Sequence, residues 1–186
     1  MKYYHEELPK LPEVLITLAA KKKLDAYIRS IDIEISGLGV VEKQNENTLI
    51  ITDILLFKQE CTSSDTKLQN KDLSNFLVKL VEEGKDTSTI KLWWHSHHCL
   101  GCFWSPTDIH TISLFKKSDY FVSIVGDSSQ NYLCRLDIFK PLRITLEVPL
   151  KLVIPEDPVL TAKIQKEVDQ KVNNRKTRKK VEIKYE

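Results

Sequence analysis

The chain has 186 residues, 41% of them apolar, enough for one domain whose core needs no disulfide support. Its 28 Lys and Arg are nearly cancelled by 26 Asp and Glu, a net charge of +2, so the bulk charge argues against a dedicated nucleic-acid binder. No apolar run approaches the roughly 18 residues of a membrane-crossing helix, and residues 1–7 are acidic and aromatic where a secretory signal is basic and then apolar, so the expected location is cytoplasmic.

Residues 14–18 form a short apolar run, and Leu24, Tyr27, Ile28 and Ile31 follow at helical spacing, which predicts a strand entering a helix over 19–31. From Ile31 the period becomes two. Ile31, Ile33 and Ile35 alternate with Asp32, Glu34 and Ser36, the pattern of a half-buried strand with Glu34 on its polar face. A turn at 44–47 and an Ile-, Leu- and Thr-rich strand at 48–58 complete a hairpin. Residues 61–70 read as a polar loop, and Asp72 as the cap of a helix carrying Leu73, Phe76, Leu77, Leu80 and Val81, ended by Gly84.

The segment 88–97 predicts a strand with Ile90, Leu92, Trp94 and Ser96 on one face and Lys91, Trp93, His95 and His97 on the other. Ser105-Pro106-Thr107-Asp108 has the pattern of a helix start with proline at the first helical position, opening a helix to about 117. Strands are expected at 120–125, 132–139 and 142–154, with a turn at 127–131. Beyond Pro155 and Pro158, Leu160, Ile164, Val168 and Val172 recur every fourth residue on an otherwise polar helix, and five of the six residues 175–180 are basic. A domain over 1–154 and an amphipathic, basic tail over 155–186 are expected, with 159–172 as a docking stripe for a protein partner and the basic cluster as a solvated extension.

Four of the five histidines (His95, His97, His98, His110) and all three tryptophans fall between residues 93 and 110, together with Cys99, Cys102 and Asp108. Residues i and i+2 of a strand share a face, so His95 and His97 can converge on one ion, and Asp108, held at a helix start, is the candidate third ligand. Two imidazoles and a carboxylate with an open fourth position suit zinc. The same ligand types also serve the iron site of oxygenases, although the His-x-Asp or His-x-Glu spacing usual there is absent. Cys99-Leu100-Gly101-Cys102 offers a different reading, a structural zinc site in a non-catalytic binding module. The four cysteines are too few and too unevenly spaced for a disulfide scaffold.

Taken together, His95-Ser96-His97, then Ser105 and Asp108 at fixed spacing, preceded by Glu34 in Glu34-Ile35-Ser36-Gly37-Leu38-Gly39, resemble the JAMM (MPN-plus) metalloprotease family. The resemblance implies an α/β sandwich in which a mixed, mainly antiparallel sheet is flanked by helices, with one zinc at the sheet edge held by His95, His97 and Asp108. It further implies Glu34 as general base and acid toward the attacking water, Ser105 as oxyanion donor, and a ubiquitin or ubiquitin-like protein as substrate, cleaved at its C-terminal amide or isopeptide bond. Family members commonly carry proline directly after the second histidine, where this chain has His98. Trp93, Phe103 and Trp104 are expected to wall a groove for an extended peptide.

Overall fold

Residues 11–61, 66–68, 70–97, 100–154 and 158–171 are described by a computed structural model of the chain. Strand β1 (Glu13–Ile16) leads through Thr17 into helix α1 (Leu18–Arg29), and the Thr17 hydroxyl caps the helix by accepting from the Ala20 N–H at 3.2 Å. Ala20, Leu24 and Ile28, four residues apart, form the helix's buried stripe. Strands β2 (Ser36–Asn45) and β3 (Thr48–Leu56) form the expected hairpin.

The expected strand over 31–35 is not formed. The chain bends at 32–33 and Ile31 is exposed, so β2 begins only at Ser36, where pairing to β6 starts; pairing to β3 follows from Gly37. The alternation still holds in parity, because Ile35 is buried in the core and Glu34 lies half-buried on the other side. The loop expected over 61–70 instead contains part of a small hairpin, β4 (Gln59–Cys61) with β5 (Thr66–Leu68). Asp72 lies inside the first turn of α2 (Asn70–Glu82) rather than capping it, and its carboxylate accepts from the Lys58 N–H at 3.0 Å. Gly84 follows that helix with a positive φ of 69°, a conformation that costs glycine little.

A short 3-10 turn at Thr87–Thr89 precedes β6 (Ile90–Ser96). Helix α3 (Pro106–Leu114), β7 (Tyr120–Gly126) and β8 (Tyr132–Ile138) follow. The long strand expected over 142–154 is split into β9 (Ile144–Val148) and β10 (Leu150–Leu152) by Pro149, which has no N–H to give a ladder.

The eight-stranded sheet runs β10-β1-β3-β2-β6-β7-β8-β9, with four of its seven pairings antiparallel. Its two outer strands are consecutive in the chain, so the sheet curls until its edges meet at Pro149, and Val148 joins Val14 and Ile16 in one core with α1. The opposite face of the sheet carries a second core, built from Leu38, Phe57, Trp93, Ile112 and Phe121, against which Phe76 of α2 and Phe115 pack. Both faces of the sheet are therefore covered by helices, as the α/β reading requires. At Gly37, β2 packs closely against both β3 and the Trp94 ring of β6: a Cβ there would stand 2.2 Å from the Leu55 carbonyl oxygen and 2.7 Å from the Trp94 indole nitrogen. That indole nitrogen donates to the Leu38 carbonyl at 3.0 Å, so the strand-to-ring distance is fixed.

Residues 155–186 form a separate unit. Its described part is helix α4 (Pro158–Lys171), on which Val159, Ile164 and Val168 are exposed. The Val172 end of the expected stripe and the basic cluster at 175–180 lie outside the described residues. No described helix is long and apolar enough to cross a membrane.

Candidate metal centre

Strand β6 sits between β2 and β7 in the interior of the sheet, so the histidine pair lies at the end of a central strand and not at the expected sheet edge. As strand parity requires, Trp93, His95 and His97 share one face, while Leu92, Trp94 and Ser96 face the core with α1. His97 lies one residue past β6 and is kept in line by its own N–H, which donates to the Gly126 carbonyl at 2.9 Å.

Asp108 comes to the same place from α3. Ser105 is the N-cap of that helix, and the two residues form a reciprocal capping box: the Asp108 N–H donates to Ser105 Oγ at 3.2 Å, and the Ser105 N–H donates to Asp108 Oδ2 at 2.7 Å. Pro106 at the first helical position gives up only an N–H that the helix would leave unpaired.

The three candidate ligands converge. His95 Nε2 stands 3.1 Å from His97 Nε2 and 3.1 Å from Asp108 Oδ1, and His97 Nε2 stands 3.4 Å from Asp108 Oδ2. Two donors on a tetrahedral zinc ion, at about 2.0–2.1 Å each, are separated by roughly 3.3–3.4 Å. The three side chains thus stand close to the spacing of three corners of such a site. Two ring nitrogens at 3.1 Å repel each other unless a proton or a cation lies between them, and a cation fits the remaining geometry. No other group of three metal-binding side chains comes together among the described residues.

The protonation states fit as well. Burial drives the His95 pKa down, against the pull of Asp108, and leaves a neutral imidazole with a free lone pair. Burial by itself would raise the Asp108 pKa, but the hydrogen bond from His95, its positive charge once protonated in acid, and the bonds from Ser105 bring it down to about 2, so the carboxylate is ionised at neutral pH. With Nε2 facing the ion, each ring's proton belongs on Nδ1, and both Nδ1 atoms are buried with no hydrogen-bond partner among the described residues. Aromatic rings enclose the imidazoles: Trp93 stacks on His95 at 4.4 Å between centroids, and Phe103 leans on His97 at 4.5 Å. Trp104 lies 6.0 Å from His95. Of the three expected groove walls Trp93 is buried beneath the site, and Phe103, 47% exposed, is the one most open to solvent.

Glu34 is related to the site by strand register. Ser36 lies opposite His95 in the β2–β6 ladder, and the pairing runs on past the strand: the Ser96 N–H donates to the Ile35 carbonyl at 2.9 Å, and the Ile35 N–H donates to Ser96 Oγ at 3.1 Å. Carried two residues further, that register would bring Glu34 opposite His97. Ser105 lies beside the ligands by virtue of its bond to Asp108. Its oxygen accepts from the Asp108 N–H, which leaves its own hydroxyl proton to be donated.

The remaining candidates are placed elsewhere. The Cys102 thiol donates to the Asn131 carbonyl at 3.1 Å, and burial, followed by the charge of Asp127, raises its pKa to about 11, so it is a protonated thiol turned to the β7–β8 turn. Cys99 and His98 lie outside the described residues. His110 is exposed on α3. Sequence reasoning missed Gln59, whose amide bonds the backbone of Ser36; a glutamine 23 residues away in a polar stretch gives no local signal of such a contact.

No family model matches the chain. Among curated proteins, the 26S proteasome non-ATPase regulatory subunit 14 of Dictyostelium discoideum is 25% identical over 131 residues, covering 68% of this chain and 42% of that protein. An uncharacterized protein of Caenorhabditis elegans is 30% identical over 146 residues, 74% of this chain and 43% of its own length. COP9 signalosome complex subunit 5 of Candida albicans is 32% identical over 101 residues, 51% of this chain and 16% of that subunit. The chain spans less than half the length of the curated relatives it matches.

Proposed function

This chain belongs to the JAMM (MPN-plus) metalloprotease family, and from that premise we propose that it is a zinc-dependent peptidase or isopeptidase. Its substrate is the amide bond at the C-terminus of a ubiquitin or ubiquitin-like protein. The observation that carries the reading is the convergence of His95 Nε2, His97 Nε2 and the two Asp108 oxygens at 3.1–3.4 Å.

His95, His97 and Asp108 hold one zinc ion. Zinc bound there supplies a Lewis acid that brings the pKa of water to about 7 and polarises a carbonyl. Glu34, set opposite His97, takes a proton from the attacking water and returns it to the departing amine, the two halves of one general base and acid cycle. Ser105 donates its hydroxyl proton toward the carbonyl oxygen as negative charge develops there. Phe103 and Trp104 give a substrate tail an aromatic wall that orders few rotors on binding. Relatives that are subunits of the 26S proteasome and of the COP9 signalosome complex support action within a larger assembly, with 159–172 as the contact to a protein partner.

The test is cleavage of a ubiquitin-family protein carrying a fluorogenic C-terminal amide. Wild type with zinc is expected to cleave it, chelation to stop it, and Glu34→Gln to lose about two to four decades of turnover while keeping its metal. Chelator-resistant cleavage, or full turnover in Glu34→Gln, overturns the reading.

A further inference from the structure

The side-chain amide of Gln59 uses its whole hydrogen-bonding capacity at the base of the segment that carries Glu34. Oε1 accepts from the Ser36 N–H at 2.9 Å and from the Cys61 thiol at 3.4 Å, while Nε2 donates to the Ser36 carbonyl at 3.0 Å and to the Phe57 carbonyl at 3.1 Å. Two acceptor and two donor sites are all that a primary amide has, so its orientation is determined by its neighbours.

The need for such a group follows from topology. The last β2–β3 partners are Gly37 and Leu56, so β3 ends one residue short of Ser36. The Ser36 N–H and carbonyl, which point to the β3 side, would have no strand to pair with, and Ser36 is 2% exposed. An unpaired buried peptide group is costly. The Gln59 amide stands in for the missing backbone. On the other side, Ile35 is held by Ser96 through one backbone bond that continues the β6 register, from the Ser96 N–H to the Ile35 carbonyl, and one side-chain bond, from the Ile35 N–H to Ser96 Oγ. Residues 35 and 36 are therefore gripped from both flanks, directly next to Glu34 in the chain.

We propose that Gln59 is a positioning residue for Glu34: by pairing both backbone groups of Ser36 it fixes the height of Glu34 against His97. The inference rests on the reading of Glu34 as general base. It assigns to the small β4–β5 hairpin the task of delivering one side chain to the sheet, and it makes the Ser36 backbone the mechanical link between that hairpin and the site.

The experiment has two readouts on the full-length chain. Amide exchange at Ser36, followed by NMR in the metal-free protein, is expected to accelerate about five- to tenfold in Gln59→Leu, the effect of one lost hydrogen bond. On the fluorogenic ubiquitin-family substrate the zinc-loaded variant is expected to lose roughly 10- to 100-fold in kcat with KM and zinc content within about twofold of wild type. In a Glu34→Gln background Gln59→Leu should cost nothing further, because the two changes act through one group. Gln59→Glu keeps the chain length and the acceptors and loses both donors; it serves where the leucine variant does not fold, and is expected to fall between the two. Unchanged Ser36 exchange, unchanged kcat, or a full additional loss in the Glu34→Gln background overturns the proposal. Absence of turnover in wild type overturns the functional reading and the catalytic part of this inference together. Unchanged exchange in an active variant overturns the positioning role alone.

Discussion

Ser105 and Asp108 hold each other by two reciprocal hydrogen bonds, 2.7 Å from the Ser105 N–H to Asp108 Oδ2 and 3.2 Å from the Asp108 N–H to Ser105 Oγ. One carboxylate thereby ends a helix and faces two imidazoles. The helix start supplies the rigidity that a metal ligand needs, and the hydroxyl that caps it is brought to the same place.

Ser105→Ala separates these duties. Loss of the cap should cost about 1 kcal/mol of stability, and loss of the donor about a hundredfold or more in turnover, while zinc content stays at the wild-type level. Ser105→Thr, which retains the hydroxyl, should recover most of both. Thermal melts, metal analysis and kcat on one set of preparations check this; wild-type turnover in the alanine variant would remove Ser105 from the chemistry.

Gly37→Ala tests the close packing of β2 against β3 and the Trp94 ring. The added methyl would lie 2.2 Å from the Leu55 carbonyl oxygen, which is backbone and cannot swing aside. Overpacking of this kind costs about 1–3 kcal/mol, or roughly 2–4 °C of melting temperature per kcal/mol in a chain of this size. An unchanged melting temperature would mean that the strands separate more easily than their bonding to Trp94 implies.

Acid stability should report on Asp108. Its carboxyl titrates at about 2 in the folded protein and near 3.9 in an unfolded chain. On acidification the unfolded state takes up the proton first, so the carboxylate's contribution is complete above about pH 4 and is lost as the pH falls toward 2. Urea titrations of metal-free protein between pH 5 and pH 2 should show a shallower loss in Asp108→Asn than in wild type. Equal slopes would show that the carboxylate gains nothing from its folded surroundings.

Much of this site was readable from residue order because its parts are local. Strand parity placed His95 and His97 on one face, and the Ser105 to Asp108 spacing announced its own capping box. Alternation assigns Glu34 to the face opposite Ile35, although the strand around it does not form and its relation to His97 rests on carrying the β6 register past the strand. What could not be read depends on distant partners. The β4–β5 hairpin and the grip of Gln59 on Ser36 join residues 23 positions apart through a side chain, and no periodicity records that. The split at Pro149 escapes the sequence for the opposite reason: the period-two alternation of apolar residues runs unbroken from Leu142 to Leu152, and only closure of the sheet edges shows that its halves pair with different neighbours.

The central claim is that His95, His97 and Asp108 hold a metal on which the chain's chemistry depends, and metal content is its most direct measure. Protein purified without added metal should be compared by mass spectrometry as wild type, His97→Ala and the Cys99→Ser, Cys102→Ser double variant. About one zinc per chain, lost with His97 and kept without the two cysteines, is the result predicted. Zinc that leaves with the cysteines and survives loss of His97 would contradict the account and make the ion a structural one.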